Sequence, residues 1–226
     1  MPAGRLIVIE GLDASGKEMQ SNFLLSFLLE QGVQAKRVEF PNYKSESSAL
    51  IKMYLAGEFG QTPDSVNAYA ASSFYAVDRY ATYKTEMEQF YKAGGVIICD
   101  RYTTSNMIHQ ASKLRLAGER DAFLKWLEEY EYTLLGLPRP DLVIFLDMPV
   151  EVSQKLMQGR RSKSDGTDTK DIHEADLEYL ARTYHTAEQL AKRYHWRKIA
   201  CSENGQPRGV EAIRDDVVSI LIDNRG

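Results

Sequence analysis

The 226 residues include only two cysteines, Cys99 and Cys201, and four scattered histidines, His109, His173, His185 and His195. Each thiol ends an apolar run, which reads as a reduced, buried or half-buried group rather than half of a disulfide, and the histidines lack ligand spacing, so a zinc site is not expected. Apolar runs such as Val217 to Ile222 fall far short of membrane-spanning length, and the chain shows no signal-peptide layout before its first strand. A cytoplasmic protein without a membrane partner is expected. Neither sign of charge dominates: 28 Lys and Arg against 32 Asp and Glu leave a net charge of −4, with no polybasic field for a nucleic acid polymer. Anions must be bound locally.

What is present is a core-forming composition, 43% hydrophobic, in a length that suits one α/β domain or two small ones. Apolar runs at 6–9, 96–99 and 142–146, with weaker ones near 33–40 and 196–200, alternate with stretches of helical period. That rhythm predicts a roughly five-stranded parallel sheet flanked by helices in three layers. Met19, Phe23, Phe27, Leu24 and Leu28 predict an apolar face on a first helix that stops at Gly32. Thr62-Pro63-Asp64 predicts the start of a long helix running to about Ala93, before Gly94-Gly95. No internal repeat or composition shift marks a boundary, so residues 1–226 are expected to form a single domain.

The segment Gly11-Leu12-Asp13-Ala14-Ser15-Gly16-Lys17 follows the apolar run Leu6 to Ile9 and leads into helical period. This is the setting of a P-loop: glycines let successive backbone N–H groups converge, the helix dipole aims at the same spot, and a lysine adds a mobile charge. The expected guest is a nucleoside triphosphate, held by Gly11, Asp13, Ala14, Ser15, Gly16, Lys17, Glu18 and Met19. Glu18 stands where a Ser or Thr hydroxyl usually meets Mg²⁺; a carboxylate can also bind that ion through oxygen. The stretch Gly159 to Asp171 is rich in charge and almost free of apolar residues between flanks of helical period, and predicts a mobile basic lid at about 159–172.

Three further blocks carry chemistry. Asp100-Arg101-Tyr102-Thr103-Thr104-Ser105-Asn106-Met107-Ile108-His109-Gln110 follows a strand, Phe40-Pro41 follows another, and Ser73 to Arg79 lies within the long helix. Asp100 at a strand's carboxyl end suits Mg²⁺ or its waters, and Arg101 can neutralise a transferring phosphate. Tyr75 and Arg79 are four apart and share a helix face, offering an aromatic plane and a guanidinium to one nucleotide; Arg79 could equally pair with Asp78 or Glu86. Asn106 presents a donor and an acceptor, which suit the edge of thymine.

With the P-loop, these blocks resemble the thymidylate (dTMP) kinase family of P-loop nucleoside monophosphate kinases over nearly the entire chain. The resemblance implies Mg²⁺-dependent transfer of a phosphoryl group from ATP to dTMP, giving dTDP and ADP for dTTP synthesis, by a homodimer. It implies that Phe40, Pro41, Tyr75, Arg79, Arg101, Ser105, Asn106, Gln110 and Tyr184 surround dTMP and that Asp13 approaches the sugar 3′-hydroxyl; the carboxylates of Glu18 and Asp100 are the expected metal ligands. Lys17, Arg101 and the lid residues Arg160 and Arg161 would be catalytic, the lid supplying an arginine that other members place in the P-loop, where this chain has Ala14-Ser15. Arg182 resembles a residue that closes on the phosphates, and Arg208 is a candidate stacking partner for adenine. A kinase for another nucleoside monophosphate, or a nucleotide-binding protein without catalysis, are the alternatives.

Overall fold

The computed structural model describes residues 4–157, 171–173 and 175–223. Five parallel strands form one sheet: β1 (Arg5–Gly11), β2 (Ala35–Glu39), β3 (Val96–Asp100), β4 (Leu142–Asp147) and β5 (Arg197–Ala200), in the spatial order β2-β3-β1-β4-β5. Helix α1 (Lys17–Glu30) links β1 to β2, α2 (Ala49–Leu55), α3 (Ala68–Thr82) and α4 (Glu88–Lys92) lie between β2 and β3, and α5 (Thr103–His109) and α6 (Ala117–Glu128) link β3 to β4. Then α7 (Val150–Met157) and α8 (Leu177–Arg193) precede β5, and α9 (Val210–Asp223) follows a short hairpin of β6 (Ser202–Glu203) and β7 (Gln206–Pro207). The expected α/β architecture is the one observed.

Alternation along β1 decides what covers each face of the sheet. Ile7 and Ile9 pack with Leu24 and Leu28 of α1 and Val217 and Leu221 of α9, whereas Leu6 and Val8 pack with Tyr83, Met87 and Tyr102 on the other side. Every central strand is buried on both faces, as its near-continuous apolar run requires. Register then brings the carboxyl ends into line: Glu39 pairs with Asp100, Ile9 with Asp100, and Gly11 with Leu146. The site lies at this edge.

Two helix expectations shift. The inward face of α1 is Leu24 and Leu28 with Gln20 and Ser21, while Met19 is exposed, because the stripe that meets the sheet is narrower than the apolar residues suggest. Thr62 begins only a single 3₁₀ turn over Pro63–Ser65; α3 starts after Asn67, whose side chain accepts from the Ala70 N–H at 2.9 Å. A π-helical turn over Tyr83–Met87 carries α3 into α4, which ends at Lys92 before Gly94. Both cysteines are buried and unpaired.

Candidate active site

β1 ends in Glu10 and Gly11, and the chain then turns sharply. A Cβ on Gly11 would come within 2.8 Å of the Leu146 carbonyl and 2.6 Å of Ser15 Oγ, so only glycine fits between β4 and the loop. Ala14 and Gly16 adopt left-handed backbone, φ 59° and 91°, and Gly16 is the residue from which α1 springs. The helix N-terminus, with its unpaired N–H groups and positive dipole end, therefore opens where the loop curls. Lys17 is buried, and its ammonium donates to the Leu12 carbonyl at 2.7 Å. Burial, with Arg101 nearby, pushes its pKa down to about 8, which an arriving phosphate would reverse.

A cavity of about 420 Å³ begins at this loop, with Asp13, Ala14, Gly16, Lys17, Glu18 and Met19 on its wall. Phe40, Pro41, Tyr75, Arg79, Asp100, Arg101, Ser105, Asn106 and Gln110 line the rest. The expected donor and acceptor residues thus share one space, whose size suits a small-molecule site. Gly11 and Ser15 are not on the wall; they shape the loop behind it. Tyr184 is a correction: it packs with the α5, α6 and α8 cluster, and its hydroxyl donates to Asp147 at 2.8 Å. Arg182 likewise pairs with Asp64 and Glu178, and Arg208 with Asp216 and the Ala200 carbonyl. Arg160 and Arg161 lie outside the described residues.

Two buried carboxylates organise the cavity, and neither is apparent in the sequence. Glu10, fully buried at the end of β1, accepts from the Gly11 N–H, Thr104 and Ser105, with Arg101 at 3.8 Å. Glu131, buried in a π-helical turn after α6, accepts from Thr103, from Asn106 and from Arg79 in a bidentate pair at 2.7 Å. The first turn of α5, Thr103-Thr104-Ser105-Asn106, therefore supplies hydrogen bonds to both acids, which is what allows them to stay buried.

These partners refine each expected role. Arg79 pairs with neither Asp78 nor Glu86 but with Glu131, and also donates to the Tyr102 carbonyl at 3.3 Å. Ser105 gives its hydrogen to Glu10 rather than to a base edge. The Asn106 amide donates to the Ser72 carbonyl and Glu131, both of which can only accept, so its oxygen is the group left for a ligand. Gln110 is fully buried on the cavity wall, and neither its amide nitrogen nor its oxygen has a partner. An unpartnered amide at a cavity wall leaves its hydrogen-bonding capacity for water or a ligand.

Arg101 occupies a left-handed backbone position, φ 68°, which is strained for a residue with a side chain. Its guanidinium donates to Asp13 of the P-loop and, from Nη1, to Ser105 and His109. Burial alone would push the Asp13 carboxyl up; Arg101 and Lys17 override it and hold the group well below the usual carboxylate range. Asp100 accepts from Arg37 at 2.8 Å, and it and Glu18 share the cavity wall. No three histidine, cysteine or acidic groups gather as a metal cluster among the described residues. The donor set fits a hard cation that takes one or two carboxylates and fills its shell with phosphate oxygens and water.

Sequence reasoning passed over His109 and His173, both buried and both on this wall. His109 had a signal, since it lies four residues beyond Ser105 on the same helix face. His173 had none, because its segment has no periodicity.

A phosphate-cradling loop between a central parallel strand and its helix, with a charged acceptor-side cavity at the same sheet edge, defines an α/β P-loop kinase fold. The chain belongs to the thymidylate kinase family, whose model matches residues 9–211. It is 31% identical over 189 residues to the thymidylate kinase of Mycobacterium tuberculosis, covering 82% of this chain and 85% of that one. It is 26% identical over 217 residues to the human thymidylate kinase, covering 95% and 88%. The structure of the thymidylate kinase from Candida albicans superimposes with a TM-score of 0.70 at 21% identity, over 99% of this chain and 93% of that one. No helix among the described residues is long and apolar enough to cross a membrane.

Proposed function

We infer that the cavity aligns ATP and dTMP for transfer of the γ-phosphoryl group, the reaction of the thymidylate kinase family to which the chain belongs. One observation carries the assignment of ends: a single cavity joins the P-loop lysine to a buried, unpartnered Gln110 amide, and Asn106 and Tyr75 line the same cavity. Gly16, Lys17 and the start of α1 take the donor phosphates. Gln110 and the Asn106 oxygen take the edge of thymine, with Tyr75 and Phe40 against the base. Asp13 accepts from the sugar 3′-hydroxyl.

Arg101 is the residue that meets the transferring phosphate. It is bonded to the P-loop through Asp13, and it keeps Nε–H and one Nη2–H without a partner among the described residues. Arg79, clamped through Nε and Nη2 by Glu131, serves the base side instead. The acceptor oxygen is already anionic, so no general base is needed, and rate comes from alignment and from charge neutralisation. Glu18 and Asp100 would hold Mg²⁺, which supplies further neutralisation of phosphate charge when bound.

The protein would work as a cytoplasmic homodimer, consistent with its two unpaired thiols and with the exposed Tyr69, Val77 and Tyr80 along one side of α3. A coupled ADP-release assay with dTMP, dUMP, dCMP and dGMP tests the function: dTMP should give the highest kcat/KM, and ATP binding without turnover of any of the four would overturn it.

A further inference from the structure

Hydrogen counting fixes the state of His109. Arg101 Nη1 lies 3.4 Å from His109 Nε2, and a guanidinium can only donate, so Nε2 carries no hydrogen. The ring proton is on Nδ1, which donates to the Tyr179 hydroxyl at 3.2 Å, and that hydroxyl donates to the His109 carbonyl at 3.3 Å. Each proton along this chain has one place. The imidazole must be neutral, because a second ring proton would point at the guanidinium.

The neighbouring ring is fixed in the same manner. His173 stacks on His109 with centroids 5.8 Å apart and an interplanar angle of 11°. The Tyr54 hydroxyl donates to the Pro63 carbonyl at 3.2 Å and accepts from Lys113 at 3.0 Å, so the His173 Nε2 at 2.9 Å is the donor in their bond. The segment carrying His173 is tied down by the Ile172 N–H to the Leu55 carbonyl. One wall of the acceptor cavity is thus a stack of two imidazoles braced by two tyrosines, His109 neutral by its bonds and His173 held toward the neutral form by burial.

We propose that His109 is a positioning residue for Arg101: its bare Nε2 holds one edge of the guanidinium, and the stacked His173 ring holds His109 in the plane that does so. Arg101 sits on strained backbone at a strand end, so its side chain depends on such bonds for its direction. Ser105 and His109 take the two Nη1 hydrogens and Asp13 takes one of Nη2, which leaves the remaining two for phosphate. The groups facing the imidazole agree with neutrality. Burial pushes its pKa down to about 3, with Arg101, Lys17 and Lys113 adding to the fall and Asp13 opposing it. The inference rests on the assignment of Arg101 to the acceptor phosphate.

The test compares His109→Phe, which keeps a ring for the stack but has no acceptor, with His109→Gln, whose amide oxygen can replace Nε2. Phe keeps the ring without the acceptor and Gln keeps an acceptor without the ring, so recovery in Gln assigns the effect to the acceptor and not to the stack. His109→Phe should lower kcat for dTMP by about 10- to 100-fold, the scale of a misdirected catalytic group, with KM for ATP within about twofold. His109→Gln should recover most of it. The loss in His109→Phe should be constant between pH 5.5 and 8.5, since the imidazole keeps one state across that range. Equal kcat for the two variants, or an inflection near pH 6.5 in the unaltered enzyme that His109→Phe abolishes, would overturn the inference. The unaltered enzyme in the same assay separates the two ideas: if it fails to turn over dTMP the functional assignment fails, whereas turnover unaffected by His109→Phe removes only this role.

Discussion

Arg79 and Arg101 look alike in the sequence, each beside an aspartate and each in a block typical of nucleotide kinases, yet the fold treats them differently. Arg79 is 2% exposed and locked in a two-toothed pair with a fully buried Glu131. Arg101 faces the cavity on strained backbone, holds the P-loop through Asp13 and keeps part of its fork unused. Each guanidinium uses three of its five N–H groups, but Arg79 is clamped on both oxygens of a fully buried acid and is mainly a structural element, whereas Arg101 is tied to the P-loop on the cavity wall and is placed to meet a ligand. Even the hydroxyls of α5 divide the same way, Thr103 serving the Glu131 side and Thr104 and Ser105 the Glu10 side.

The sharpest way to break this comparison is to neutralise each arginine in turn. Arg101→Gln should cost about 10³-fold in kcat, the scale of an arginine that stabilises phosphoryl transfer, with a smaller loss of stability than Arg79→Met, because Glu10 keeps its bonds from Gly11, Thr104 and Ser105. Arg79→Met should instead destabilise by about 3–5 kcal/mol, because Glu131 is left buried without its partner. Chemical denaturation beside steady-state rates measures both. Loss of stability in Arg101→Gln with full activity per folded molecule would invert the assignment.

The histidine stack gives the next largest effect. Burial, and then nearby positive charge, holds His109 and His173 neutral in the folded protein, well below the ordinary histidine range, whereas the unfolded chain protonates them near pH 6.5. Below that pH the unfolded state binds more protons, so each ring should reduce folding stability by about 1.4 kcal/mol per pH unit of acidification. Its contribution is flat above pH 6.5. His109→Gln should make the acid limb of the stability curve shallower by one such slope; a parallel limb would show that the ring titrates in the folded state as freely as in the unfolded one.

Gln110 sharpens the comparison on a smaller scale, because here function and stability should move in opposite directions. Gln110→Leu removes two unpartnered buried polar atoms, and should stabilise the free protein by about 1 kcal/mol while weakening dTMP by about tenfold. Calorimetric titration with dTMP and a thermal melt give the two numbers. Unchanged dTMP affinity would place the base elsewhere.

Much of the site was legible in advance because it is local. The P-loop, the strand-end Asp100-Arg101 and the placing of Ser105 and Asn106 in the helix turn after it follow from spacing within a few residues of a strand end, where backbone geometry leaves little choice. Misreadings came where a partner was distant. Nothing near Arg79 announces Glu131, 52 positions on, and nothing near Tyr184 announces Asp147 at the end of β4. Thr62 was a plausible cap, but Asn67 competes for the same helix and wins by bonding the Ala70 N–H.

The sequence by itself determined the parallel α/β sheet, the position of the phosphate loop and the set of side chains available at the sheet's carboxyl edge, since periodicity and turn chemistry act over short range. Only the tertiary structure decided what each of those side chains is free to do. A polar group's chemistry depends on which of its hydrogens and lone pairs are already used, and the partners that use them, Glu10, Glu131, Tyr179 and Tyr54, arrive from elements far apart in the chain.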